Sequence, residues 1–147
     1  MKNRGITLIE LVVVMVIIAI GAALVAPNIG AWLPNYHLRS ATRDIVSSLR
    51  TAQMKAISTN LQYEVSFNPA AGSYILRYQD TGGHWITEGA TQLLPSGIQI
   101  SGVTFPGNNA NFYPNSTSSS GSITLRNPKG ASKTILLTIS TGRVQVQ

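Results

Sequence analysis

The chain has 147 residues, a net charge of +6 and only 11% charged residues, which fits one domain of modest size plus whatever its apolar start contributes. It contains no cysteine, so thiol catalysis, disulfide cross-links and thiolate metal sites are excluded. Small polar residues crowd the second half, as expected of an exported protein.

The first element runs from Ile6 to Ala26, 21 residues with a single charge, Glu10. As a helix it is about 30 Å long, the thickness of a bilayer core. Lys2 and Arg4 precede it and no acid does, so the positive-inside bias keeps the first five residues cytoplasmic and sends Ala31 onward to the far side. Three readings are open. A secretory signal peptide could be cut near Gly21-Ala22-Ala23, and a plain anchor could simply remain. Both leave Glu10 unexplained: an acid at mid-membrane costs about 2.5 to 3.5 kcal/mol, less near the edge, and no Lys or Arg lies between Ile6 and Leu38 to pair with it. In the third reading, cleavage between Gly5 and Ile6 creates an amine four residues before Glu10, and that amine meets the Glu10 of a neighbouring copy in a staggered stack. At about 4 Å and an effective dielectric near 20 the pair is worth roughly 4 kcal/mol before desolvation, comparable to the insertion cost.

The run Gly5-Ile6-Thr7-Leu8-Ile9-Glu10 resembles the prepilin signature of type IV pilins and type II secretion pseudopilins. The resemblance implies that a prepilin peptidase cuts after Gly5, that Ile6 becomes the N-methylated first residue in place of the family's usual phenylalanine, and that Glu10 is the glutamate of the fifth mature position. Pro27 falls on the family's mature proline, the twenty-second residue after the cut.

Within the leader, Ala19 with Ala23 and Ala22 with Ala26 set small residues four apart, which suits close helix packing. Gly21 and Pro27 predict a kink or an unwound segment, and Pro34 a further bend; alternatively the prolines end the membrane helix and Ala31 to Asn35 is a linker. From Asn35 to about Thr59, Leu38, Ala41, Ile45, Leu49, Ala52 and Ala56 recur at three and four, an amphipathic helix with one core face. Arg39, Arg43 and Arg50 fall within about 40° of one another on a second face. That face is either a solvated one or a contact with neighbouring subunits, acidic lipid or nucleic acid.

After Asn60 the pattern changes to period two. LQYEVSF (Leu61 to Phe67) and SYILRY (Ser73 to Tyr78), separated by Asn-Pro-Ala-Ala-Gly, read as a hairpin. Further strands are expected near His84 to Thr87, Ile98 to Phe105, Ser122 to Arg126, Thr134 to Ser140 and Arg143 to Gln147, with Gly, Pro and Asn marking the turns. Gly107 to Gly121 reads as a polar, mobile surface loop; the sequon at Asn115-Ser116-Thr117 is expected by chance.

The helix-to-strand order, RTAQMKAISTN from Arg50 to Asn60 and the ending TISTGRVQVQ resemble the GspH and FimT branch of pilin-like proteins. This implies a minor pseudopilin or minor pilin, with a major filament subunit as an alternative. No catalytic constellation appears: there is no G-x-S-x-G, H-E-x-x-H or Walker loop, and His37 and His84 are far apart. Asp80-Thr81-Gly82 is read as a hairpin turn, since an aspartic protease needs a second, matching aspartate to share a proton. Neither enzyme activity nor cofactor nor metal is expected.

After Glu88 the last 59 residues carry only cations, Arg126, Lys129, Lys133 and Arg143, a balance that favours polyanions. The FimT resemblance implies DNA capture through a C-terminal G-R-x-R motif. Gly142-Arg143-Val144-Gln145 matches two of its three fixed positions, with Gln145 in place of the second arginine. The expectation is therefore an α+β, type IV pilin-like fold: a leader peptide 1–5, a transmembrane and assembly helix 6–34, and a head 35–147 in which a helix at 35–59 packs on an antiparallel β-sheet formed from 60–147. Its expected partners are prepilin peptidase, other pilin or pseudopilin subunits, the bacterial inner membrane and, in the alternative, extracellular DNA.

Overall fold

The structure, a computed structural model, describes residues 7–139 and 143–147, with only the backbone of 24–29 and 31. One helix, α1 (Leu8–Thr59, 52 residues), is followed by eight strands: β1 (Tyr63–Asn68), β2 (Ser73–Gln79), β3 (Trp85–Leu93), β4 (Gln99–Val103), β5 (Asn109–Phe112), β6 (Gly121–Arg126), β7 (Ser132–Leu137) and β8 (Val144–Val146). By contacts the chain divides into two units, Met1–Leu33 and Pro34–Gln147.

The helix continues through Gly21, Pro27 and Pro34, so neither the expected unwound segment nor the alternative linker at Ala31 to Asn35 is present. Each proline removes a single donor, and the cooperative ladder on either side of it outweighs that loss. The helix stops at Asn60, whose φ of 56° puts it in the left-handed region that asparagine tolerates at a helix end. In the head, all six positions of the expected core face are buried, Leu38 at 4% exposure and the others at 1% or less. They form one apolar cluster with Val65, Phe67, Ile123, Leu125 and Ile135 from the sheets. The head part of the helix is also tied by polar contacts. Asn127 Nδ2 donates to Asn35 Oδ1 at 2.9 Å, and His37 Nδ1 lies 3.2 Å from the carbonyl oxygen of Ser96.

The strands form two four-stranded antiparallel sheets, in the orders β3-β2-β1-β5 and β4-β6-β7-β8. Asp80 does serve the β2–β3 turn, its Oδ1 accepting from the amides of Gly82 and His84 at 2.8 Å each. Two expectations need correction. The third strand runs to Leu93, well past Thr87, because its exposed, mostly polar course gave no alternation to follow. The segment from Gly107 to Gly121 is not a loop throughout: a 3₁₀ turn (Pro106–Asn108) leads into β5, which pairs with β1 and buries Ala110 and Phe112. Ser118 is buried as well, bridged to Phe112 and bonded to the carbonyls of Ile139 and Thr138. Asn115 closes the turn between, accepting from the amide and hydroxyl of Thr117 at 3.2 and 2.7 Å.

Candidate functional site

Gly5 and Ile6, the expected cleavage and methylation positions, lie outside the described residues, and of Pro27 only the helical backbone is described. Glu10 is an exposed residue in the first turn of α1. Its amide donates to the Thr7 carbonyl at 3.1 Å and to Thr7 Oγ1 at 3.4 Å. Thr7-Leu8-Ile9-Glu10 is therefore also a capping-box pattern, a threonine at the helix cap and a glutamate three residues on, where the helix dipole favours a negative charge. Sequence reasoning passed over this second role, although its signal was in the same four letters.

From Leu8 to Ile20 the large apolar side chains are exposed all round the helix, Leu8 at 81% and Val12, the least, at 45%. A helix apolar on every side needs lipid or other helices around it. Among the described residues no helix is long and apolar enough to cross a membrane; the described apolar side chains stop at Ala23, short of the sequence's own apolar limit at Ala26.

In the head, a cleft of about 730 Å³ opens between α1 and strands β7 and β8. Arg39, Arg43 and Arg50 line it from the helix and Lys133 from β7. Val46, Met54 and Val146 supply its apolar surface. The three arginines are exposed, and among the described residues none of them has an ion-pair partner. On the opposite flank of the helix a smaller cleft of about 350 Å³ carries the acids Asp44 and Glu88. Glu88 pairs there with Lys55, and that hydrogen bond holds the Lys55 ammonium above its ordinary range.

The four expected C-terminal cations do not converge. Lys133 shares a sheet face with Ile135 and Leu137, toward the helix, because its partner across the ladder is the buried Leu125. Arg126 pairs with Ser132 and so projects from the other face. Lys129 belongs to the β6–β7 turn, held by the Asn127 side chain, which accepts from the Lys129 amide at 3.0 Å. Arg143 lies at the far end of β7, its carbonyl accepting from Thr138 at 3.2 Å. At about 3.3 Å per strand residue, the length of β7 puts roughly 20 Å between these two ends. Gly142 lies outside the described residues, and Gln145 shares the outer face with Arg143. The structure thus groups Lys133 with the helix arginines rather than with its neighbours in sequence.

Of the remaining candidates, His84 Nδ1 lies 3.6 Å from Asp80 Oδ1 and the ring is exposed. No group of metal-ligating side chains occurs among the described residues. The buried acid is Glu64, at 2% exposure, with Arg77 Nη2 2.5 Å from its Oε1. Burial pushes this carboxyl above its ordinary range, and Arg77 offsets part of the rise. The Arg77 guanidinium in turn lies 5.9 Å from the Trp85 ring centre.

Residues 1–26 match the prokaryotic N-terminal methylation motif, and residues 41–142 match the family described as type II transport protein GspH. No individual curated protein matches the chain. Two solved structures of the minor pseudopilin EpsH, from the type 2 secretion system of Vibrio cholerae, are similar in fold. One has a TM-score of 0.65 at 8% identity, covering 76% of this chain and 96% of that one. The other has a TM-score of 0.64 at 9% identity, covering 78% and 94%. At such identities the likeness speaks for the fold: a helix packed on antiparallel strands. Since the GspH match alone spans more than half of the sequence and the methylation motif sits where the Gly5-to-Glu10 signature stands, the chain belongs to the type II transport protein GspH family, with a type IV pilin-like, α+β fold.

Proposed function

We propose that this protein is a minor pseudopilin, a structural subunit that enters a filament through its N-terminal helix. The observation that carries the reading is the helix from Leu8 to Ile20, apolar on every side and interrupted only by Glu10. Before assembly the segment Ile6 to Ala26 sits in the inner membrane, with residues 1–5 cytoplasmic and the head on the periplasmic side. Prepilin peptidase removes residues 1–5, and Ile6 carries the methylated amine. In the filament that amine pairs with Glu10 of the neighbouring subunit, which relieves the buried acid and sets the axial register. Small residues at Ala19, Ala22 and Ala23 let the helices approach closely. Pro27 helps fit the helix to the filament core.

Mass spectrometry of the mature protein tests this reading. A chain beginning at N-methylated Ile6 is the expected result. A chain that keeps Met1, or that has lost the whole apolar leader, contradicts it. The rival reading, DNA capture through Arg126, Lys129, Lys133 and Arg143, requires one duplex to meet cations on two sheet faces and at two ends of β7. The scaffold reading needs no such convergence.

A further inference from the structure

The cleft between α1 and β8 plays no part in the Glu10 pairing, and its chemistry is one-sided. Arg39, Arg43, Arg50 and Lys133 line it, no acid does, and apolar Val46, Met54 and Val146 lie between them. Met54 and Val146 are 63% and 45% exposed. Beside it runs β8, the edge strand of its sheet. Thr134 and Gln147 exchange both backbone hydrogen bonds, at 3.0 and 2.8 Å. In an antiparallel ladder the alternate residues Val144 and Val146 therefore turn their N–H and C=O groups away from β7. Among the described residues nothing pairs with that outer edge.

We propose that this edge and cleft together form a docking site for an acidic, extended segment of a partner protein. The segment adds as a strand to β8, bonded by the outward backbone groups of Val144 and Val146. One row of its side chains is acidic and meets the arginines of α1. Strand addition draws affinity from main-chain bonds and specificity from the pockets that receive alternate side chains, and this site supplies both. From Arg39 to Arg50 the helix rises about 16 Å, the reach of roughly five extended residues. Single-stranded nucleic acid fits less well, because none of the lining side chains is aromatic and bases have no ring to stack on. The inference does not rest on the filament pairing of Glu10, and either can fail without the other.

The test uses the full chain in uncharged detergent micelles and a fluorescent nonapeptide alternating Val and Glu, read by polarisation. Binding that weakens with salt is expected, and Arg43→Gln with Arg50→Gln should weaken it about tenfold. Val146→Pro removes an outward N–H at an edge position that tolerates proline, and should abolish binding while circular dichroism stays unchanged. Methylating alternate amides of the peptide should do the same with the protein untouched, which covers the case in which the proline variant misfolds. Equal binding of a Val–Lys peptide, indifference to amide methylation, or absence of peptide binding would each overturn the proposal. So would a single-stranded oligonucleotide that binds the cleft where the Val–Glu peptide does not.

Discussion

Glu10 has two physical jobs open to it, and two substitutions separate them. As a capping-box residue it works through hydrogen bonding, which glutamine reproduces; as the partner of an amine it works through charge, which glutamine lacks. The cap is weak here. The bond from the Glu10 amide to Thr7 Oγ1 is long, 3.4 Å against the 2.7–3.2 Å of a good bond, and uses only the Glu10 backbone, so it survives either substitution. What the substitutions remove is the reciprocal side-chain half of the box, worth about 0.5 kcal/mol at the low end for caps. Removing one member of a buried ion pair instead leaves a charge stranded, at about 3 to 5 kcal/mol, which is a hundredfold or more in an equilibrium. Glu10→Gln and Glu10→Ala should therefore behave alike: both reach the membrane at least as well as the wild type, and both enter filaments at about a hundredth of its level or less. The assay is mass-spectrometric counting of the peptide around residue 10 in purified filaments from cells expressing wild type and variant together. Wild-type incorporation of Glu10→Gln beside failure of Glu10→Ala would assign the residue to the cap and refute the charge argument.

Three further outcomes test the head by thermal unfolding followed by circular dichroism. A Cβ placed on Gly121 would clash with the ring of Phe105, which is 3% exposed and stacks on Phe67 at 6.1 Å. Gly121→Ala should cost about 1 to 3 kcal/mol, and Phe105→Leu should restore part of it. Leu49 is fully buried within the apolar cluster, so Leu49→Ala should cost about 2 to 5 kcal/mol, and a loss under about 1 kcal/mol would contradict that packing. Glu64 has its carboxyl raised by burial, so the folded state binds its proton more tightly than the unfolded state does. The resulting stability is fully present below the unfolded value near 4.5 and is lost as pH rises through the raised folded value. The melting temperature of the wild type minus that of Glu64→Gln should therefore increase as pH falls from 7 toward about 4.5. A decrease would reverse the sign of the coupling.

The helix was the legible part of the fold. Its core face repeats apolar residues at three and four for six positions, and the strands beneath bury all six. Strand β5 was not legible, because its two buried residues, Ala110 and Phe112, alternate with asparagines inside a stretch rich in Gly, Asn and Ser. Glu64 follows the alternation of β1 yet is buried, since β1 is an interior strand and Arg77 and Asn111 flank Glu64 on either side. The cleft was legible only in halves. The arginine face of the helix follows from 100° per residue, but that Lys133 joins it while Arg126 does not depends on ladder register, and period-two patterning of a polar strand leaves register open. The N-terminal methylation motif needs no tertiary structure to be read, because it is local in sequence.

The most direct measurement of the central claim is a filament structure by electron cryomicroscopy, resolved well enough to place the Ile6 nitrogen and the Glu10 carboxylate. The expected result is a separation of about 4 Å or less between that nitrogen and a Glu10 oxygen of the adjacent subunit. A separation beyond about 8 Å, the screening length at physiological salt, or an N-terminus still carrying residues 1–5, would contradict it.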